Sequence, residues 1–429
     1  MEFTWEFGRG KQHFEVPGQL LLGIVEGVRV DPLPDLEAAL GEALADPIGS
    51  PALAELVRGG DRVAIACPDF HRLWARARVW LPMLIAHLNR CGVHDRDITV
   101  IIANGTHAPP TYREMRMILG EDFPPGVRVI NHEARDEVSL RYLGKTSFGT
   151  PLWVNRHAVE ADHLILTGAI VPHTFAGYGG GRKAVLPGMS GMKTILANHR
   201  RALSETPGGG IHPQARPGVL SENPVHQDML AAARMVGPRL IVNFVLSEEG
   251  DFLGVFAGEL ERAHEEGCRF VSEAFRVEIP AKADIVMASR GGYPMDMTFY
   301  QAFQSNANAR AALRDDGEGV MVMVGECSEG LGPYEFQRWF DLGGVEEMER
   351  ELRRAFTVAG FVVFRAALLS RQAKKVILVS GLPPETVRRI GIVPHRSIRE
   401  ALREALETVP GGKILLMPHA SQTIPSPAC

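Results

Sequence analysis

The chain has 429 residues, of which 45% are hydrophobic and 23% charged, and carries a formal net charge of −5. Its length exceeds one ordinary core, so about two or three domains are expected, and the acidic balance disfavours nucleic-acid binding. No apolar run reaches the roughly 18 residues of a membrane span, and the opening MEFTWEFGRGKQHFEV lacks the apolar core of a signal peptide.

The five cysteines (Cys67, Cys91, Cys268, Cys327, Cys429) are scattered and contain no CxxC pair. That pattern points away from a zinc ribbon or a disulfide framework and towards a reducing cytoplasm.

In chain order, short aliphatic runs at 62–66 (RVAIA), 98–103 (ITVIIA), 163–167 (HLILT) and 240–246 (LIVNFVL) predict buried strands. A helix is predicted over 75–91, with apolar positions at Trp80, Leu81, Leu84, Ile85 and Leu88 and a stop at Gly92. A long helix follows at 259–275. The pattern then restarts from about Pro280, with strands at 284–288, 319–324 and 375–380 and helices at 300–313, 345–356 and 397–406. Alternating strands and helices imply an α/β fold of two domains with mainly parallel sheets and an active-site cleft between them. The expected limits are 1–275 for the N-terminal domain and 280–412 for the C-terminal domain. Residues 413–429 form a last strand and tail that can return to the N-terminal domain.

Open parallel sheets bind ligands beyond the carboxyl ends of their strands. Strand 62–66 runs into Cys67-Pro68-Asp69-Phe70-His71-Arg72, and strand 98–103 into Asn104-Gly105-Thr106-His107. Strand 163–167 leads to His173 and the loop HTFAGYGGGRKAVLPG at 173–188. Gly179, Gly180 and Gly181 beside Arg182 and Lys183 suit an anion. The stretch is nevertheless neither a P-loop nor a dinucleotide fingerprint, so it is a nonstandard anion site or an ordinary loop. Asp69 and Arg72 read equally as a helix cap with a local ion pair, or as a carboxylate clamp with an orienting partner. His107 and His173 read as turn histidines or as positioned acid/bases. His199, in ILANHRRALSE, reads as a solvated helix residue or as a metal ligand that needs other donors.

Together these stretches resemble the nickel-dependent lactate racemase family. The motifs are CPDFHR (67–72), ANGTHAPP (103–110), VPHTFAGYGGGRKAVLPG (171–188), NHR (198–200) and GGYPMDMTFYQA (291–302). The resemblance implies a nickel-pincer nucleotide joined to Lys183 through a thioamide, with His199 as the protein ligand to nickel. It implies that Gly179, Gly180, Gly181 and Arg182 cradle the nucleotide phosphate, and that His107 and His173 are the two catalytic acid/bases. Arg72 would hold the substrate carboxylate with Asp69 supporting a histidine, and Tyr300, Gln301 and Gln304 would complete the substrate side. The implied reaction is racemisation or epimerisation of a 2-hydroxy acid through a 2-keto acid. Gln304 stands where lactate racemases carry a lysine, so a substrate other than lactate is expected. Cofactor-maturation enzymes are the implied partners, with no nucleic acid and no membrane. Two other readings stay open: a nucleotide-dependent α/β dehydrogenase or dehydratase, and a hydroxy-acid-binding protein that is not an enzyme.

Overall fold

The structure, a computed structural model, describes residues 1–428 apart from 28, 29, 248, 333, 334, 343 and 422. Cys429 therefore lies outside the described residues. Two compact units emerge: Arg29–Arg201 with Gly218–Val271, and Met1–Val28 with Ala202–Pro217 and Ser272–Cys429. No helix among the described residues is long and apolar enough to cross a membrane.

The first unit is built on a six-stranded sheet. Its spatial order is Phe252–Gly258, Leu240–Leu246, His163–Ala169, Val63–Pro68, Ile98–Ala103, Arg128–Asn131. All neighbours run parallel except the antiparallel edge strand Phe252–Gly258. The central strands are buried almost throughout, as expected where helices cover both faces. Helix Ala77–Arg90 packs Trp80, Leu81, Leu84, Ile85 and Leu88 into this core. Trp80 stacks on Phe244 at 4.8 Å between centroids. Truncating so large a buried ring costs about 3–5 kcal/mol.

The second unit holds another six-stranded sheet, in the order Val393–His395, Lys375–Val379, Val320–Val324, Ile285–Ser289, Ile414–Met417, Leu21–Ile24, with every neighbour pair parallel. This changes the domain limits expected from sequence. Leu21–Ile24 pairs with Ile414–Met417, so the first residues of the chain join the second sheet and not the first. The hairpin Glu2–Phe7 with Gly10–Glu15 sends Trp5 and Phe14 into the same core. Ile414–Met417 lies beside Ile285–Ser289, and Ile424–Pro427 pairs with Arg276–Ile279. The tail thus stays with the second unit.

The helix predicted over 300–313 is broken into Phe299–Ala302, a tight turn at Phe303–Ser305, and Asn306–Ala312. Ser305 Oγ donates to the Ala302 carbonyl at 3.2 Å, a local bond that competes with the helical ladder.

Candidate active site

In the first sheet, the chain leaves Val63–Pro68 towards Ile98–Ala103 on one side and later leaves His163–Ala169 towards Leu240–Leu246 on the other. The two starting strands are neighbours, so the loops beyond their carboxyl ends diverge and open a crevice. Asp69 follows one strand and the loop with His173 and Lys183 follows the other. His107 follows Ile98–Ala103, the next strand over.

Asp69 begins a short turn of 3₁₀ helix, Phe70–Ala75, but its side chain does not cap that turn. Nor does it pair with Arg72, whose guanidinium donates to the His71 carbonyl at 3.1 Å. Asp69 Oδ2 instead accepts from His107 Nδ1 at 2.6 Å and from His71 Nδ1 at 3.0 Å. Burial pushes the Asp69 carboxyl up, but the hydrogen bonds from His107 and His71, with the Arg72 charge, outweigh it and hold the group well below the usual carboxylate range. An ionised acceptor requires Nδ1–H on both rings, which leaves each Nε2 with a lone pair. Burial lowers the His107 pKa, partly offset by Asp69, so that imidazole is neutral at neutral pH. The turn that carries His107 is fixed from below: Gly105, at φ +57°, donates its N–H to the Gly188 carbonyl at 2.9 Å.

That bond ties His107 to the glycine loop. Gly180 has φ +72° and Gly181 φ +51°. A Cβ on Gly180 would lie 2.2 Å from Asn243 Oδ1, and one on Gly181 2.7 Å from the His264 ring. The bare backbone is therefore required by close packing on the protein's own interior. Asn243 Oδ1 accepts the Gly181 N–H at 2.7 Å. Arg182, expected to face a phosphate, is 1% exposed. Its guanidinium donates to the Ala176 carbonyl at 2.7 Å and meets His264 Nε2 at 2.9 Å, so it staples the loop from inside.

Lys183 points its amine at His173, with Nζ 3.2 Å from Nε2. On the other side of the ring, the Ala176 N–H donates to Nδ1 at 3.2 Å. The neutral ring must then carry its proton on Nε2, so the lysine accepts and is a free amine. Electrostatics agree: burial, with Arg182 and Arg72 nearby, holds Lys183 well below its ordinary value. Burial and the adjacent Lys183 hold His173 well below its own.

His199 is buried at the end of helix Met192–His199 rather than solvated. Phe175 packs its ring against both His173 (4.8 Å) and His199 (5.1 Å). His199 Nδ1 faces Asn198 Oδ1 at 3.2 Å. The amide cannot be reversed cheaply, because Asn198 Nδ2 donates to Asp228 Oδ2 at 3.0 Å and to the Val225 carbonyl at 3.1 Å. Asp228 is in turn held by Thr146, Thr150 and Arg201. His199 is thereby fixed as the Nδ1–H tautomer with its lone pair on Nε2, the form a metal ligand needs. Burial and Lys183 bring its pKa down to about 3.

The second sheet has a switch point of its own between Ile285–Ser289 and Ile414–Met417. Tyr300, Gln301 and Gln304 belong to the segment that follows Ile285–Ser289. Tyr300 packs edge-on against Phe336, and the Gln301 carbonyl accepts from Arg290 at 2.7 Å. Gln304 is half-buried in the turn between the helix pieces.

Sequence reasoning missed His71, Asn198, Asp228, Asn243 and His264. The first two had a signal, since each adjoins a residue already singled out. The other three act on the loop or on Asn198 from distant segments.

Residues 7–209 match the family described as the lactate racemase N-terminal domain, and residues 279–419 match the lactate racemase C-terminal domain. A lactate racemase of Thermoanaerobacterium thermosaccharolyticum is 32% identical over 426 residues, covering 97% of each chain. One from Lactiplantibacillus plantarum is 34% identical over 374 residues, covering 85% of this chain and 84% of its own. The solved lactate racemase apoprotein of T. thermosaccharolyticum superimposes with a TM-score of 0.87 over 99% of this chain and 100% of that one, at 32% identity. A Thermotoga maritima protein shares the fold at 16% identity, with a TM-score of 0.68 over 93% of this chain and 100% of its own. With both domain families matched in order and that identity sustained along nearly the whole length, the chain is a racemase-like isomerase that belongs to the lactate racemase family.

Proposed function

We propose that the protein racemises or epimerises a 2-hydroxy acid other than lactate, through a planar 2-keto acid, with a nickel-pincer nucleotide attached at Lys183. The observation that carries this reading is the pair of neutral imidazoles, His107 and His173, on loops beyond the two strands that flank Val63–Pro68, with a free amine beside one of them. A substrate binder needs a carboxylate clamp such as Arg72, but not two bases.

The residues fit the cofactor. Lys183 is a half-buried, uncharged amine, the form that can be acylated. His199 offers Nε2 in the ligand tautomer. When bound, the nucleotide supplies the acceptor and donor of the C2 hydride.

The protein does the rest. Arg72 fixes the carboxylate. His107, oriented by Asp69, takes the 2-hydroxyl proton of one enantiomer at Nε2. His173 serves the other enantiomer, whose hydroxyl points elsewhere, after its proton moves from Nε2 to Nδ1 and the Ala176 N–H lets go of that nitrogen. When hydride returns to the opposite face of C2, the histidine on that side gives oxygen a proton that it takes up from solvent, while the first histidine releases to solvent the one it took, so the pair exchanges roles with the direction of reaction. Gly179, Gly180 and Gly181 hold the loop that presents Lys183, and Arg182 braces it. Tyr300, Gln301 and Gln304 are assigned to substrate recognition through the family resemblance alone, and the neutral Gln304 is the reason to look beyond lactate. The maturation enzymes that build the nucleotide are the proposed partners, in the cytoplasm.

The test is peptide mass spectrometry with metal analysis on protein co-produced with those maturation enzymes, followed by a panel of chiral 2-hydroxy acids. A nucleotide-sized adduct on the Lys183 peptide and about one nickel per chain are expected, with interconversion of one panel member faster than lactate. An unmodified Lys183 without nickel would favour an enzyme with an exchanging nucleotide or a binding protein. Lactate as the best substrate would remove the role given to Gln304.

A further inference from the structure

We propose that Asp69, His71 and His107 form a second metal site, which takes a divalent ion of the zinc class and thereby switches His107 off. The binding half of this inference stands independently of the racemase reading; the inhibitory half rests on it. His71 is the member that the proposed reaction leaves without a task.

The donor set is two imidazoles and one carboxylate, a combination suited to zinc, cobalt or nickel. Asp69 Oδ2, His71 Nδ1 and His107 Nδ1 all lie within 4.8 Å of one another. Both rings already aim Nδ1 at the same oxygen, from 3.0 and 2.6 Å, and their centroids are 4.0 Å apart. Two ligand atoms on a zinc ion sit roughly 3.4 Å apart at the tetrahedral angle. Each nitrogen therefore has to draw back from the oxygen by less than about 1 Å to admit the ion. Asp69 is buried and anchored on a strand end, whereas the His71 side chain is 41% exposed. The open side gives an entry path and leaves the remaining position to water. The Arg72 charge beside Asp69 opposes a cation, which keeps the affinity below that of a closed structural site.

The consequence for His107 follows from tautomer counting. An ion on Nδ1 takes the place of the proton now shared with Asp69. The neutral ring then carries its hydrogen on Nε2, so it can no longer accept a proton from substrate. No net proton is released: each ring exchanges an Nδ1–H for an Nε2–H through solvent.

The test uses the full chain prepared without cofactor or nickel. Zn²⁺ is titrated in competition with a chromophoric chelator, and Co²⁺ is followed by its visible d–d absorption. His71→Ala should weaken one equivalent of binding by about tenfold or more, while His199→Ala retains that equivalent. Binding by His71→Ala equal to wild type overturns the site, as does loss of the equivalent only in His199→Ala. Should His71→Ala fail to fold, His71→Gln decides by the same criteria. In cofactor-loaded protein, zinc should inhibit racemisation by the wild type and spare His71→Ala. Equal inhibition of both would overturn the inhibitory half.

Discussion

Asn198 Oδ1 lies 3.2 Å from His199 Nδ1, and Asp228 decides which end of the amide faces the ring. Asp228→Asn removes the charge and can turn an N–H₂ towards Asn198 Nδ2, leaving that amide only the Val225 carbonyl and loosening its hold on the ring tautomer. Nickel affinity should fall by about 10–100-fold, with the adduct on Lys183 intact. Metal analysis after dialysis, paired with peptide mass, reads both. Full nickel retention would show that Asp228 does not govern His199.

Asp69→Asn keeps the shape of the carboxylate but not its charge. The side-chain amide can face His107 with its N–H₂ and impose the wrong tautomer. We expect the turnover rate to fall by about 10³-fold, with KM changed far less. An equal rise in KM would instead assign Asp69 to substrate binding.

His107→Ala and His173→Ala should each abolish racemisation while leaving the cofactor attached, and Lys183→Ala should prevent covalent loading. Mass spectrometry and chiral chromatography separate these outcomes. Undiminished activity in either histidine variant would remove that residue from the mechanism.

Acid should destabilise the first unit earlier than its carboxylates alone predict. Burial lowers His132 to about 4 and His199 and His226 to about 3. Between those values and the ordinary histidine range, the unfolded chain binds protons that the folded unit refuses. The stability is therefore complete above about pH 6.5 and is lost as pH falls, at up to about 1.4 kcal/mol per pH unit for each histidine. A urea midpoint that stays flat from pH 6.5 to 4.5 would contradict this.

Gly180→Ala places a methyl against Asn243 at a left-handed φ of +72°. A cost of about 1–3 kcal/mol is expected, with poorer loading at Lys183. Thermal melting and adduct yield report the two effects.

The central strands were legible because burial on both faces leaves a run such as RVAIA or HLILT with no polar position to blur it. The site was legible where polar residues stand directly after such runs, as Asp69 and His107 do. Arg182 was misplaced because a cation beside glycines looks the same whether it faces an anion or its own loop's carbonyls. Only His264 and the Ala176 carbonyl distinguish the two, and the former arrives from a distant helix. His71 was passed over because nothing in CPDFHR tells that two imidazoles share one carboxylate. The first strands escaped notice because Glu2–Phe7 buries Trp5 alone and Leu21–Ile24 is only partly covered.

The pairing of Leu21–Ile24 with Ile414–Met417 also has a consequence in time. A ribosome adding about 5–20 residues per second needs on the order of tens of seconds to deliver the second strand after the first. Within that interval, once Gly258 has been made, the first sheet can close, since its strands lie between Val63 and Gly258. The leading segment meanwhile waits with its ladder unmade. The part carrying Lys183, the proposed attachment point, can thus be finished while the other sheet still lacks Ile414–Met417, the strand that joins Leu21–Ile24 to it.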